Sequence, residues 1–176
     1  MKDGSDLRGL IKLTSGNKIK FKKTKKDKKQ TFDYKKVTRV KFHFEEEYLY
    51  KITKKTILIK REIKGKLNLY SIISQSSGIP MGNPGSPVIG TYTNTIYYVG
   101  KKNKDYIEEL PNITNKKFTE ILSEYASDCS DFINKIKDKD SINYFFEKKE
   151  KEFKGNFESK DAMLEDIINY YNSNCG

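Results

Sequence analysis

The hydrophobic period changes once along this chain, near residue 112. Before that point apolar residues recur at every second position, the spacing of a half-buried strand. After it they recur at three and four, the spacing of a helix with one buried face. Strands in one run and helices in the next exclude an alternating βαβ fold. They predict an α+β protein in which an antiparallel, twisted sheet or partial barrel is followed by a C-terminal helical unit. The expected division is a basic β domain over 1–104 and a helical unit over 105–176.

Within the first part, Leu7–Leu13 alternates imperfectly and ends at the turn signal Thr14-Ser15-Gly16-Asn17. Lys18-Ile19-Lys20-Phe21-Lys22 alternates strictly, with Ile19 and Phe21 on one side and three lysines on the other. That is a strand with one solvated face. Lys22–Lys29 is too charged to be buried and reads as a hairpin tip, with Thr31–Tyr34 returning as the partner strand. Val37–Phe44, Tyr48–Ile52, Thr56–Ile63, Lys66–Ser74 and Val88–Val99 are further strand candidates, with Gly65 at a turn.

Gln75–Gly90 interrupts this pattern. It holds three of the four prolines and three glycines up to Pro87, which excludes a central strand or a helix there. It is expected to be a loop, disordered or functional. Its glycines lack the Lys-Ser/Thr close of a phosphate-binding loop.

In the second part, Thr114 or Asn115 is placed to cap a helix with Phe118, Ile121, Leu122, Tyr125 and Ala126 on one face. Ser127-Asp128 is placed to cap a second, Cys129–Lys137. A third is expected over Ile142–Phe153. Ser159 is placed to cap a fourth over Ala162–Tyr171, with Met163, Leu164, Ile167, Ile168 and Tyr171 as its stripe.

Cys129 and Cys175 are the two cysteines and lie at helix ends. Two readings stand. A helical return that brings their Cα atoms within about 4.4–6.8 Å permits a disulfide, which belongs outside a reducing cytoplasm. Otherwise they are two small buried residues with no connection. The bridge is the expectation.

Charge narrows the partners. The net charge is +11, and residues 1–70 carry 22 Lys and Arg against 8 Asp and Glu, while the remainder is slightly acidic. Such a surface suits polyanions: nucleic acid, anionic lipid head groups or acidic glycans. The candidate binding residues are Lys18, Lys20 and Lys22 on one strand face and Lys23, Lys25 and Lys26 at the tip. Against a specific phosphate site, 32 of the 35 basic residues are Lys, whereas Arg is the usual bidentate ligand. A charge run also serves as a plain solvated face.

No catalytic constellation emerges. His43 is the single histidine and lacks a local nucleophile signature. One His and two distant Cys make no zinc pattern. Glu45-Glu46-Glu47 reads as a solvated strand end rather than half of a glycosidase pair. Tyr92, Tyr97 and Tyr98 are candidate stacking platforms, yet adjacent Tyr97 and Tyr98 must point to opposite faces. No cofactor and no enzymatic activity are expected. No apolar run is long enough to span a membrane.

Several segments together resemble a family. Asp3-Gly4-Ser5-Asp6-Leu7-Arg8-Gly9-Leu10-Ile11 resembles the opening strand of exported envelope or secreted proteins of Bacteroidetes. Ile63-Lys64-Gly65-Lys66-Leu67-Asn68-Leu69-Tyr70 is similar to their central strand pair, and Tyr97-Tyr98 to the aromatic strand that follows. Phe118, Asp128-Cys129 and Tyr171-Asn172 with Cys175 resemble their helical ending. The resemblance implies an exported protein (periplasmic, outer-membrane-associated or secreted) with Cys129 and Cys175 bridged. It transfers no catalytic residue. No apolar leader follows Met1, so this reading takes the leader as already removed. The function expected is non-enzymatic, the basic β face meeting an acidic protein or an anionic envelope glycan or lipid. The alternative is a cytosolic nucleic-acid-binding protein that uses the same face.

Overall fold

A computed structural model of the chain describes residues 1–14, 17–42, 46–77, 91–138 and 158–175. Nine strands and three helices lie among them. A three-stranded antiparallel sheet holds β1 (Leu10–Leu13), β2 (Ile19–Lys22) and β3 (Gln30–Phe32) in sequence order. A six-stranded sheet follows, also antiparallel and in sequence order. Its strands are β4 (Arg39–Lys41), β5 (Glu47–Ile52), β6 (Thr56–Ile63), β7 (Leu67–Ser77), β8 (Thr91–Lys101) and β9 (Glu108–Leu110). The helices are α1 (Lys116–Tyr125), α2 (Ser130–Lys137) and α3 (Glu158–Asn174). The fold is α+β, as the change of period predicts.

One face of the large sheet is covered twice. Over β4–β6 it meets the small sheet: Ile19, Val37 and Val40 are buried there, with Ile11, Leu13, Phe32, Tyr48, Tyr50 and Leu58 packed around them. Over β7–β9 it meets the helices. Leu67, Leu69, Val99 and Leu110 share a core with Phe118, Leu122, Phe132, Ile136, Met163, Leu164, Ile167, Ile168 and Tyr171. The helical stripes read from sequence are therefore the buried faces. Among the described residues the helices share their core with the sheet, and β9 lies within the segment expected to be helical.

The opposite face closes on itself. Ile52 at the end of β5 forms a parallel bridge with Tyr106, just before β9. Its N–H donates to Asp105 O at 2.8 Å, and Ile107 N–H donates to Ile52 O at 2.9 Å. Since β6, β7 and β8 separate these segments in the sheet, the sheet must curl to bring them together. Ile57, Ile59, Tyr70 and Ile107 are buried inside the curl. Gly100 makes room for this strap, because a Cβ there would stand 2.7 Å from Ile107 Cγ2.

Several sequence expectations change. β7 runs to Ser77 and β8 starts at Thr91, paired Ser77 to Thr91, so Gln75–Ser77 is strand rather than loop. Polar residues there keep the ladder because β7 and β8 supply each other's hydrogen bonds along their whole length. Residues 78–90 of the expected loop lie outside the described residues, as do His43, Glu45 and the expected helix over Ile142–Phe153. Asn115 caps α1, its side chain accepting from Lys117 N–H. Cys129 occupies the cap position of α2 without a side-chain bond, and Asp128 is engaged elsewhere. Ser159 lies inside α3, which already starts at Glu158.

Cys129 and Cys175 are bridged, with Cα atoms 5.5 Å apart. The bridge ties the end of α3 to the corner between α1 and α2. Tyr171 donates to Asp128 Oδ1 at 2.8 Å beside it, and the Phe132 and Tyr171 rings meet edge to face at 5.2 Å.

Candidate polyanion-binding face

Alternation along β1 and β2 builds the face. Ile19 and Phe21 are buried beneath the small sheet, so Lys20 and Lys22 must point away from the core. Antiparallel pairing sets Leu10 opposite Lys22 and Lys12 opposite Lys20, with Thr31 beyond Lys20 on β3. Lys18 continues the row: its carbonyl accepts from Thr14 N–H at 3.0 Å and from the Thr14 hydroxyl at 2.9 Å.

The tip is folded rather than loose. Asp27 accepts from Thr24 N–H at 2.6 Å and from the Thr24 hydroxyl at 2.8 Å, an arrangement that reverses the chain locally. Lys22 Nζ donates to Lys25 O at 3.3 Å across the turn. Lys23, Lys25 and Lys26 are exposed there, as is Lys18, while Lys20 and Lys22 have partly covered stems. Lys18, Lys20 and Lys22 thus lie along the outer face of β2, the central strand of the small sheet, with Lys23, Lys25 and Lys26 in the β2–β3 tip beyond it.

The large sheet anchors this face from behind. Asn17, with φ of 54°, accepts from the Tyr50 hydroxyl at 2.8 Å through its carbonyl and from Leu58 N–H at 3.1 Å through its side chain. Both donors belong to the large sheet. The positive φ is tolerated because Asn enters the left-handed region more readily than most residues.

Two features of the electrostatics bear on function. Among the described residues, none of the six ammonium groups forms an ion pair; the ion pairs lie elsewhere. And Lys12 stands directly across from Lys20, a like-charge pair that weakens the sheet. Lys12 was missed in the sequence because alternation along Leu7–Leu13 is imperfect. Its signal is the register that places Ile11 and Leu13 in the core.

The other chemical candidates resolve into structure. Glu47 was expected to be solvated, but it is buried. It is bonded to the Arg61 guanidinium, and Arg39 stands 3.7 Å away. A buried carboxylate requires such partners. Glu46 pairs with Lys60 at 3.5 Å. Lys51 is also buried, donating to Lys104 O at 2.6 Å and standing 3.5 Å from Asp105. Tyr97 packs against the helical core and Tyr98 against the core inside the curl, so neither is a free stacking platform. Among the described residues, no group of three or more His, Cys, Asp or Glu is placed to hold a metal ion, and no helix is long and apolar enough to cross a membrane.

No protein-family model, no curated protein and no solved structure matches this chain.

Proposed function

We propose that this chain is a non-enzymatic exported or cell-envelope protein whose lysine-bearing sheet binds an acidic partner. The observation that carries the reading is the row Lys18, Lys20 and Lys22 with the tip Lys23, Lys25 and Lys26. It sits on a sheet anchored from behind, and none of the six is in an ion pair among the described residues. Near an anionic surface each lysine contributes about 1 kcal/mol, so six support binding on the order of tens of micromolar. The partner classes are an acidic protein or an anionic envelope glycan or lipid. The Cys129–Cys175 disulfide supports an oxidising compartment, since such bridges are rare in the cytosol. It weighs against a cytosolic nucleic-acid-binding protein acting through the same lysines.

The test is charge reversal. Replacing all six lysines with Glu is expected to abolish binding to heparin, a soluble polyanion, and to leave the melting temperature almost unchanged. Heparin binding unchanged in that variant would exclude the reading.

A further inference from the structure

Two large apolar side chains are exposed in the segment that leads into this basic face. Leu10 is 48% exposed and Leu7 45% exposed, two of the few large hydrophobic residues among the described ones that stand open to solvent. Leu10 is on the outer face of β1, directly opposite Lys22 and two residues before Lys12. Leu7 precedes the strand, and Gly9 brings that segment against the tip. A Cβ on Gly9 would lie 2.3 Å from Lys22 O and 3.0 Å from Lys23 Cα. Only glycine permits that approach without a shift of backbone. Leu7, Arg8 and Leu10 are all exposed in this segment, and Leu10 stands opposite Lys22.

A soluble polyanion offers charge but little apolar contact, so exposed leucines add nothing to its recognition. A lipid surface offers both. Anionic head groups attract lysines, and the boundary below them takes up apolar side chains a few ångströms deep. Leucines within a ring of long, flexible cations match that layering, because lysine stems lie along apolar surface while their heads stay in water.

We propose that this face docks on the surface of an anionic lipid bilayer, with Leu7 and Leu10 entering the interface and Arg8, Lys12, Lys20, Lys22, Lys23 and Lys25 engaging the head-group phosphates. The proposal rests on the reading of the same lysines as a binding face for acidic partners. The two are separable because the leucines matter only to the lipid.

The probes are vesicles of phosphatidylglycerol and phosphatidylcholine, and heparin in solution. The variants are the six-lysine Glu variant, Leu7→Ser with Leu10→Ser, and Leu10→Trp. The chain contains no tryptophan, so Leu10→Trp gives a single indole reporter. Both leucines are exposed, so the double variant is expected to melt with the parent. Expected is vesicle binding by the parent, a loss of roughly tenfold or more in the leucine double variant, and heparin binding in that variant within about twofold of the parent. The Leu10→Trp fluorescence is expected to shift to the blue on vesicles and not on heparin. Vesicle binding equal in parent and leucine variant overturns lipid docking and leaves the acidic-partner reading standing. So does heparin binding without vesicle binding, or a parallel loss on both probes in the leucine variant, which would make the leucines part of a contact with soluble acidic molecules. Failure of the parent to bind either probe overturns both readings.

Discussion

Asn172 on α3 pairs its carboxamide with both backbone groups of Leu67 on β7. Leu67 N–H donates to Asn172 Oδ1 at 3.0 Å, and Asn172 Nδ2 donates to Leu67 O at 2.9 Å. The side chain thus does for Leu67 what a neighbouring strand would do. The main-chain groups of a buried residue need such partners. Gly65 makes the approach possible, since a Cβ there would fall 2.2 Å from the Asn172 carboxamide. Lys66 Nζ adds a bond to Cys175 O at 3.0 Å.

Asn172→Ala is therefore expected to destabilise the protein by about 2–3 kcal/mol, because it leaves a buried donor and acceptor without partners. Asn172→Asp is expected to cost at least as much, since a carboxylate accepts from Leu67 N–H and repels its carbonyl. Urea unfolding of the two variants checks this. Midpoints equal to the parent's would mean the pairing contributes nothing.

Reduction of Cys129–Cys175 releases the same helix end. The bridge joins residues separated by 46 in sequence, and the loop-entropy relation gives about 4 kcal/mol for a loop of that length. Cys129→Ser with Cys175→Ser is expected to lower the unfolding free energy by that order. The parent measured in dithiothreitol should fall with it, and helical circular dichroism should be lost before the sheet signal.

Inside the curl, Gly100→Ala is expected to destabilise by about 1–3 kcal/mol, the range for overpacking, because the added methyl meets Ile107 Cγ2. Ile107→Ala alone is also destabilising. In the double variant the two costs should fall well short of their sum, since the clash disappears with the Ile107 side chain. Additive costs would place the effect of Gly100 elsewhere.

Stability should depend on pH at both extremes. Burial pushes the hydroxyls of Tyr50, Tyr70, Tyr125 and Tyr171 up to about 12. A raised pKa means the folded state holds the proton more tightly. Their contribution is complete below the ordinary value of 10.0 and is lost as pH rises towards about 12. On the acid side, the hydrogen bond from Tyr171 holds Asp128 below its ordinary 3.8. That contribution is present above 3.8 and is lost as pH falls below it, through the lowered value. Urea midpoints measured across pH should show both declines, and Tyr171→Phe should flatten each.

Much of this fold is legible in the sequence for simple reasons. Lys18–Lys22 alternates, and Phe118–Ala126 carries a helical stripe, because each element has one face in a core and one in water. What escapes is structure made by partners distant in sequence. β9 holds only Glu108, Glu109 and Leu110, too short for any period to show. Gln75-Ser76-Ser77 lacks apolar alternation, yet is strand because β8 runs beside it. Glu47 reads as solvated among neighbouring acids until the register of β5 and β6 sets it against Arg61. The lysine face was half legible. Its central row follows from strict alternation, while Lys12 and the exposed leucines needed the register of β1.

Compartment decides between the exported reading and its alternative, and thiol trapping tests it most directly. Cells producing the protein would be treated with an alkylating reagent before lysis, and the intact chain weighed before and after reduction. The account predicts that Cys129 and Cys175 take up no reagent until reduced. Immediate alkylation of both would place the chain in a reducing compartment, contradict the exported reading, and return the lysine face to nucleic acid.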